Sequence, residues 1–135
     1  MDANTNAAAA ALKDLGVTHT AVNCDVTDRR AVEQLFETAT GLGTVASVIH
    51  AAGVSPSMGG ADYIIRTNAL GTLNVGEVFC ATAAEGAAIV NVASMAAHML
   101  PDEIVPTAEF PLALQDETAF MAAMMSACSV APEEA

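Results

Sequence analysis

Two short apolar runs, residues 45–49 (VASVI) and 87–92 (AAIVNV), limit the possible folds more than any other feature of the chain. Neither alternates polar with apolar residues, so each reads as a strand covered on both faces, the pattern of a parallel sheet. Parallel neighbours need a crossover, and residues 61–84 between the two runs carry the longest helical pattern in the sequence. Ile65, Ala69, Leu73 and Gly76 fall on one side of that helix, and Leu70, Val78 and Phe79 widen the apolar face. A face this broad predicts packing against the sheet and against a second surface, for which a partner subunit is the expectation. The strand, loop, helix and strand of residues 47–94 thus form the centre of an α/β fold.

The chain before this centre fits the same architecture. Asn4 or Thr5 can cap an alanine-rich helix running to about Leu15, with Gly16 as its left-handed stop. Its apolar side is mostly methyl groups, so it is expected to lie flat on a sheet. Residues 18–24 (THTAVNC) are β-branched and bounded by Gly16 and Asp25, which predicts a strand. The DVTD sequence at 25–28 then turns the chain, with Thr27 or Asp28 as N-cap of a helix over residues 29–40. Val32, Leu35, Phe36 and Ala39 give that helix one apolar stripe, and Gly41 and Gly43 end it. Residues 41–46 (GLGTVA) match GxGxxA in form, but here a helix ends and a strand begins. A phosphate-binding glycine loop needs the reverse order, so the match reads as a helix stop.

Composition narrows the function classes. Sixteen acids against Lys13, Arg29, Arg30 and Arg66 leave a formal charge of −12, which repels a nucleic-acid backbone. No run reaches the roughly 18 uncharged apolar residues of a membrane span, and MDANTN lacks a basic signal-peptide region. A cytoplasmic protein is expected. Cys24, Cys80 and Cys128 are odd in number and far apart, so they read as small buried hydrophobes and not as a disulfide framework. His19, His50 and His98 lack the spacing of a helical zinc site, and no metal is expected.

The residues placed for chemistry stand at the carboxyl ends of the strands, where open α/β sheets bind ligands. Asp25 could accept from an adenine amino group while the Val26 backbone lines the ring; its other reading is a turn or cap residue. Residues 50–53 (HAAG) permit close approach of a flat ligand, or simply make a tight turn. Asn68 is a polar residue in an apolar helix, and its amide must be satisfied either structurally, by a backbone group, or by water. Ser94 sits one or two residues past the second run, with its hydroxyl at the ligand-binding edge.

DVTD, VIHAAG, RTNALGT and IVNVAS, in this order and at these separations, resemble the short-chain dehydrogenase/reductase family over about residues 5–100. The resemblance implies a partial Rossmann-type three-layer α/β fold with a parallel sheet, missing the family's first strands and its C-terminal part. It implies NAD or NADP as cofactor, an alcohol or ketone as substrate, and a homo-oligomer through helix 61–84. Asp25 and Val26 resemble the adenine-contacting pair. Ala51, Ala52 and Gly53 resemble the tail of the NNAG motif, with His50 and Ala51 in place of its two asparagines. Asn68 resembles the helix asparagine that holds a water of the proton relay, and Ser94 the serine that bonds the substrate oxygen.

The family's TGxxxGxG loop and YxxxK motif have no match here: the single tyrosine, Tyr63, precedes Asn68, and the single lysine is Lys13. The resemblance therefore implies the central fragment of a dehydrogenase with little or no activity of its own. The alternative is a non-catalytic α/β module acting as a subunit or interaction partner. Residues 1–100 are expected to form the partial nucleotide-binding domain. Residues 101–135 carry four of the five prolines and seven of the sixteen acids, and are expected to be an insertion or tail with a short helix at about 115–128.

Overall fold

Asp28 starts the first well-packed helix for a specific reason: its carboxylate accepts from the backbone N–H groups of Arg30 (2.9 Å) and Ala31 (3.3 Å), two donors that a helix start leaves without partners. The computed structural model, which describes residues 5–16 and 18–130, places five helices and two strands in the order α1 (Thr5–Asp14), α2 (Arg29–Leu42), β1 (Ser47–His50), α3 (Ala61–Ile65), α4 (Gly71–Thr82), β2 (Ala88–Asn91) and α5 (Glu117–Val130). Asn4, one of the two candidate caps for α1, lies outside the described residues. The GLGTVA stretch is a helix stop: Gly43, at φ +156°, donates back to the carbonyls of Ala39 and Thr40.

β1 and β2 pair in parallel, with Ser47 opposite Ala88 and His50 opposite Asn91. Helices α2 and α4 cover one side of this pair. Val32, Phe36, Val75, Val78 and Phe79 form the core there, with Val48 and Ile89 of the strands packed against it. Side chains of a strand alternate between faces, so Ile49 and Val90 point the other way and remain 73% and 55% exposed. The expectation of strands buried on both faces therefore holds for one face only.

Two further expectations are corrected for the same reason. Residues 18–24 form no strand. The sheet among the described residues consists of β1 and β2 alone, and residues 18–24 are not hydrogen-bonded into it. A strand exists through its ladder, and the ladder among the described residues joins β1 to β2 only. Nor does α1 lie against a sheet: Leu15 is 74% exposed, because the sheet has no strands reaching that far.

The long helix is continuous from Ala61 to Thr82 but is interrupted by a π turn over Arg66–Leu70, where Gly71 N–H donates to Arg66 O five residues back. Its second surface is occupied from within the chain. Phe120, Met121 and Met124 of α5 bury Leu70 and pack against Ile65 and Ala69, and Arg66 bridges Asp62 and Glu117 at 3.2 Å each. Arg29 likewise bonds Glu33 and Glu77, tying α2 to α4. The helix near the C-terminus thus starts at Glu117 and covers the same long helix expected to meet a partner. Cysteine burial is also corrected: Cys24 is half-buried, whereas Cys80 and Cys128 lie on solvent-facing sides of α4 and α5.

Gly71 allows one close approach that shapes the site. A Cβ placed there would stand 2.7 Å from Val26 Cγ2 and 3.3 Å from Val26 Cβ, and a β-branched side chain has little freedom to move away. Helix propensity favours alanine by about 1 kcal/mol, but overpacking costs about 1–3 kcal/mol. Gly71→Ala is expected to be net destabilising, read as a lower urea midpoint; a midpoint at or above that of the parent would show that Val26 does not depend on this contact.

Candidate functional site

A cavity of about 640 Å³ opens at the carboxyl ends of β1 and β2, and it brings together Ala51, Ala52, Gly53, Asn68 and Ser94. A second, of about 510 Å³, is lined by Asp25 and Val26 together with Met58, Tyr63 and Thr67. Ala52 lines both, so the seven residues singled out from the sequence surround two adjoining spaces.

The π turn aims Asn68. Inserting one residue per turn rotates its side chain out of the ordinary helical register and toward the loop after β1. There Oδ1 accepts from Val54 N–H at 2.8 Å, and Nδ2 donates to Val54 O at 2.9 Å. This two-point clasp satisfies both backbone groups of a buried loop position and ties the loop after β1 to the helix. Of the two readings of Asn68, the geometry supplies a backbone partner. Gly53 passes close by, where a Cβ would stand 3.4 Å from Asn68 Oδ1.

His50 and Thr72 complete this arrangement, and the identity of each donor follows from proton counting. The Thr72 hydroxyl lies 2.7 Å from Asn68 O, which can only accept, so the single hydroxyl hydrogen points there. The contact of 3.0 Å between Thr72 Oγ1 and His50 Nε2 must then be donated by the imidazole, which fixes the Nε2–H tautomer. Burial pushes the His50 pKa down, so the ring is held neutral.

This shift has a definite sign. The folded state binds the His50 proton less tightly than the unfolded chain does, so the unfolded state gains protons first as pH falls. The His50 contribution to stability is complete above the ordinary histidine pKa and is lost as pH falls through it toward the lower folded value. Urea midpoints should therefore fall on acidification across that window, and His50→Gln should flatten this component of the profile. An unchanged slope in the variant would assign the acid sensitivity to other groups.

Asp25 has a different environment. Thr27 donates to Oδ1 through its backbone N–H at 2.9 Å and its hydroxyl at 2.8 Å. The backbone bond, followed by the hydroxyl, holds the Asp25 carboxyl below its ordinary range, so it is an ionised acceptor at neutral pH. Val26 O accepts from Asn74 Nδ2 at 2.9 Å, which anchors the turn to α4. Desolvation, reinforced by Asp25 and Asp28, pushes the Cys24 thiol up, which favours the thiol over the thiolate.

Ser94 caps the 3-10 turn Met95–His98, accepting from Ala96 N–H at 3.2 Å. That uses an acceptor lone pair, and the hydroxyl hydrogen remains able to donate to an oxygen in the cavity. Sequence reading did not assign His50 and Thr72 to this network or Met58 and Tyr63 to the second cavity. Thr72 is four residues after Asn68, the spacing at which a threonine hydroxyl bonds back to a helix carbonyl, and this was the one available signal.

A cavity outside the carboxyl ends of parallel strands, with helices crossing over one face, is the arrangement of a partial Rossmann-like α/β fold. The family model for the short chain dehydrogenase matches residues 1–106, and the chain belongs to that family. No curated protein matches the sequence. Among the described residues, no helix is long and apolar enough to cross a membrane.

Proposed function

We propose that this chain supplies part of the site of an NAD- or NADP-dependent oxidoreductase acting on an alcohol or ketone. One observation carries this reading: the adjoining cavities at the strand ends gather Asp25, Val26, Ala51, Ala52, Gly53, Asn68 and Ser94. The larger one is lined by small residues suited to a flat ring, and the other, which holds the ionised Asp25, has an otherwise mainly apolar wall. These residues fit the adenine end of a dinucleotide, with Asp25 accepting from the exocyclic amine beside the Val26 backbone. When bound, the nicotinamide supplies hydride chemistry. Ser94 would donate to the substrate oxygen, and Asn68 would position the loop on which Ala51–Gly53 stand.

Proton transfer to the reacting oxygen needs a group of tuned pKa within hydrogen-bond reach. The sequence has neither tyrosine nor lysine after Ser94, and no glycine loop that leads from a strand into a helix. This chain by itself is therefore expected to show little or no turnover and weak cofactor binding. Titration with NADH and then NADPH, followed by nicotinamide fluorescence, tests this: the expected result is no saturation in the micromolar range. Saturable micromolar binding would show that a pyrophosphate cradle exists despite the missing glycine loop.

A second reading is a non-catalytic α/β module that works as a subunit or interaction partner in the cytoplasm, with residues 101–135 as an accessory segment. The uncovered Ile49 and Val90 face of the sheet supports it. Concentration-dependent sedimentation separates the two, since a module built to associate should do so without cofactor. Self-association through the long helix would require α5 to move off Leu70.

A further inference from the structure

We propose that the part of the cavity this chain builds beside Ser94 favours an uncharged alcohol or ketone with an apolar body over substrates bearing a phosphate or carboxylate. This rests on the oxidoreductase reading above and extends it to the class of substrate.

The lining carries the argument. Its polar groups are the neutral side chains of Ser55, Asn68, Thr72, Asn91 and Ser94, and the remaining lining residues are alanine, glycine, proline, valine and isoleucine. Among the described residues, no lysine, arginine, aspartate or glutamate lines it. The nearest titratable group in the network, His50, reaches Thr72 from beneath and is held neutral by burial.

The four cations of the chain lie away from this lining. Arg29 is engaged by Glu33 and Glu77, and Arg66 by Asp62 and Glu117. Lys13 is on α1 and Arg30 at the start of α2, and neither lines the cavity. The segment that follows Ser94 has no lysine or arginine, yet it carries Asp102, Glu103 and Glu109. An anion entering this space would lose hydration with no counter-charge to replace it, while the field of a chain at −12 opposes its approach. A cation would be drawn toward the surface but would find no carboxylate inside. The apolar part of the lining, Val54, Pro56, Ile64, Val92 and the alanines, suits a hydrocarbon body.

Binding can be read without turnover and without cofactor. Cyclohexanone and its carboxylated analogue, the oxocyclohexanecarboxylate anion, are compared on the whole chain by saturation-transfer NMR. The ketone is expected to bind about tenfold or more tightly than the anion, roughly the loss of one favourable interaction or more. Ser94→Ala should weaken the ketone, and Ala96→Lys, an exposed change at the cavity lining, should raise affinity for the anion selectively. Equal or tighter binding of the anion to the parent chain would overturn the selectivity while leaving the oxidoreductase reading intact. Failure of both probes to bind would overturn the selectivity, while the oxidoreductase reading is decided separately by the NADH titration. Ketone binding that Ser94→Ala leaves unchanged would place the ketone elsewhere and overturn the inference.

Discussion

Asn68→Ala is expected to lower the unfolding free energy by about 2–4 kcal/mol, a large effect for one exchange on a helix. The asparagine amide makes both bonds to Val54, at 2.8 and 2.9 Å, and Val54 is the buried residue of an otherwise exposed loop after β1. Removing the amide leaves a backbone N–H and a backbone carbonyl short of partners, and each unsatisfied buried group costs about 1–3 kcal/mol. Alanine has the higher helix propensity by a few tenths of a kcal/mol, which offsets only a small part. Asn68→Asp should not rescue the loss, because its carboxylate keeps the bond from Val54 N–H but repels Val54 O. Urea unfolding supplies the energy, and limited proteolysis within residues 51–55 reports whether the loop is released. A midpoint within experimental error of the parent, with the loop still protected, would mean that water replaces the clasp without penalty.

Phe36→Ala should be costlier still, at about 3–5 kcal/mol, the range for truncating a buried aromatic side chain. Phe36 is nearly fully buried and meets Val75, Val78 and Phe79 where α2 packs on α4. This is the contact that holds the two helices over the sheet, and no second layer on the other face shares the load, since Ile49 and Val90 are exposed there. Against a typical domain stability of about 5–15 kcal/mol, the variant should sit near the edge of unfolding at ambient temperature. Phe36→Leu, which keeps most of the volume, should cost less than about 1.5 kcal/mol. Circular-dichroism melts of the two variants give the comparison; similar losses for both would show that the site collapses around the missing ring.

The positions that line the two cavities were legible in the chain because these residues fall at the ends of local elements. Asp25 follows a β-branched run, Ala51–Gly53 follow β1, and Ser94 follows β2, so each position could be read from where an apolar run stops. The stripe of α2 was equally legible, since Val32 and Phe36 recur at helical spacing and do meet the core. The clasp of Asn68 was not, because it joins residues fourteen apart through a π turn that leaves no compositional mark. His50 was read only as a substitution in a motif, yet its tautomer is set by Thr72, twenty-two residues on.

Hydrophobic periodicity and the turn residues by themselves determined the helices, the two parallel strands, the stop at Gly43 and the edge at which a ligand would meet the chain. These depend on backbone preference and on which side chains recur on one face, both properties of neighbouring residues. Tertiary structure decided which faces are covered. The sequence 18–24 has the composition of a strand but lacks a ladder partner, the apolar residues Ile49 and Val90 lack a second layer, and the long helix turns Leu70 toward α5 of the same chain. Burial is a relation between segments distant in sequence, so an apolar residue declares that it needs a neighbour without declaring which one.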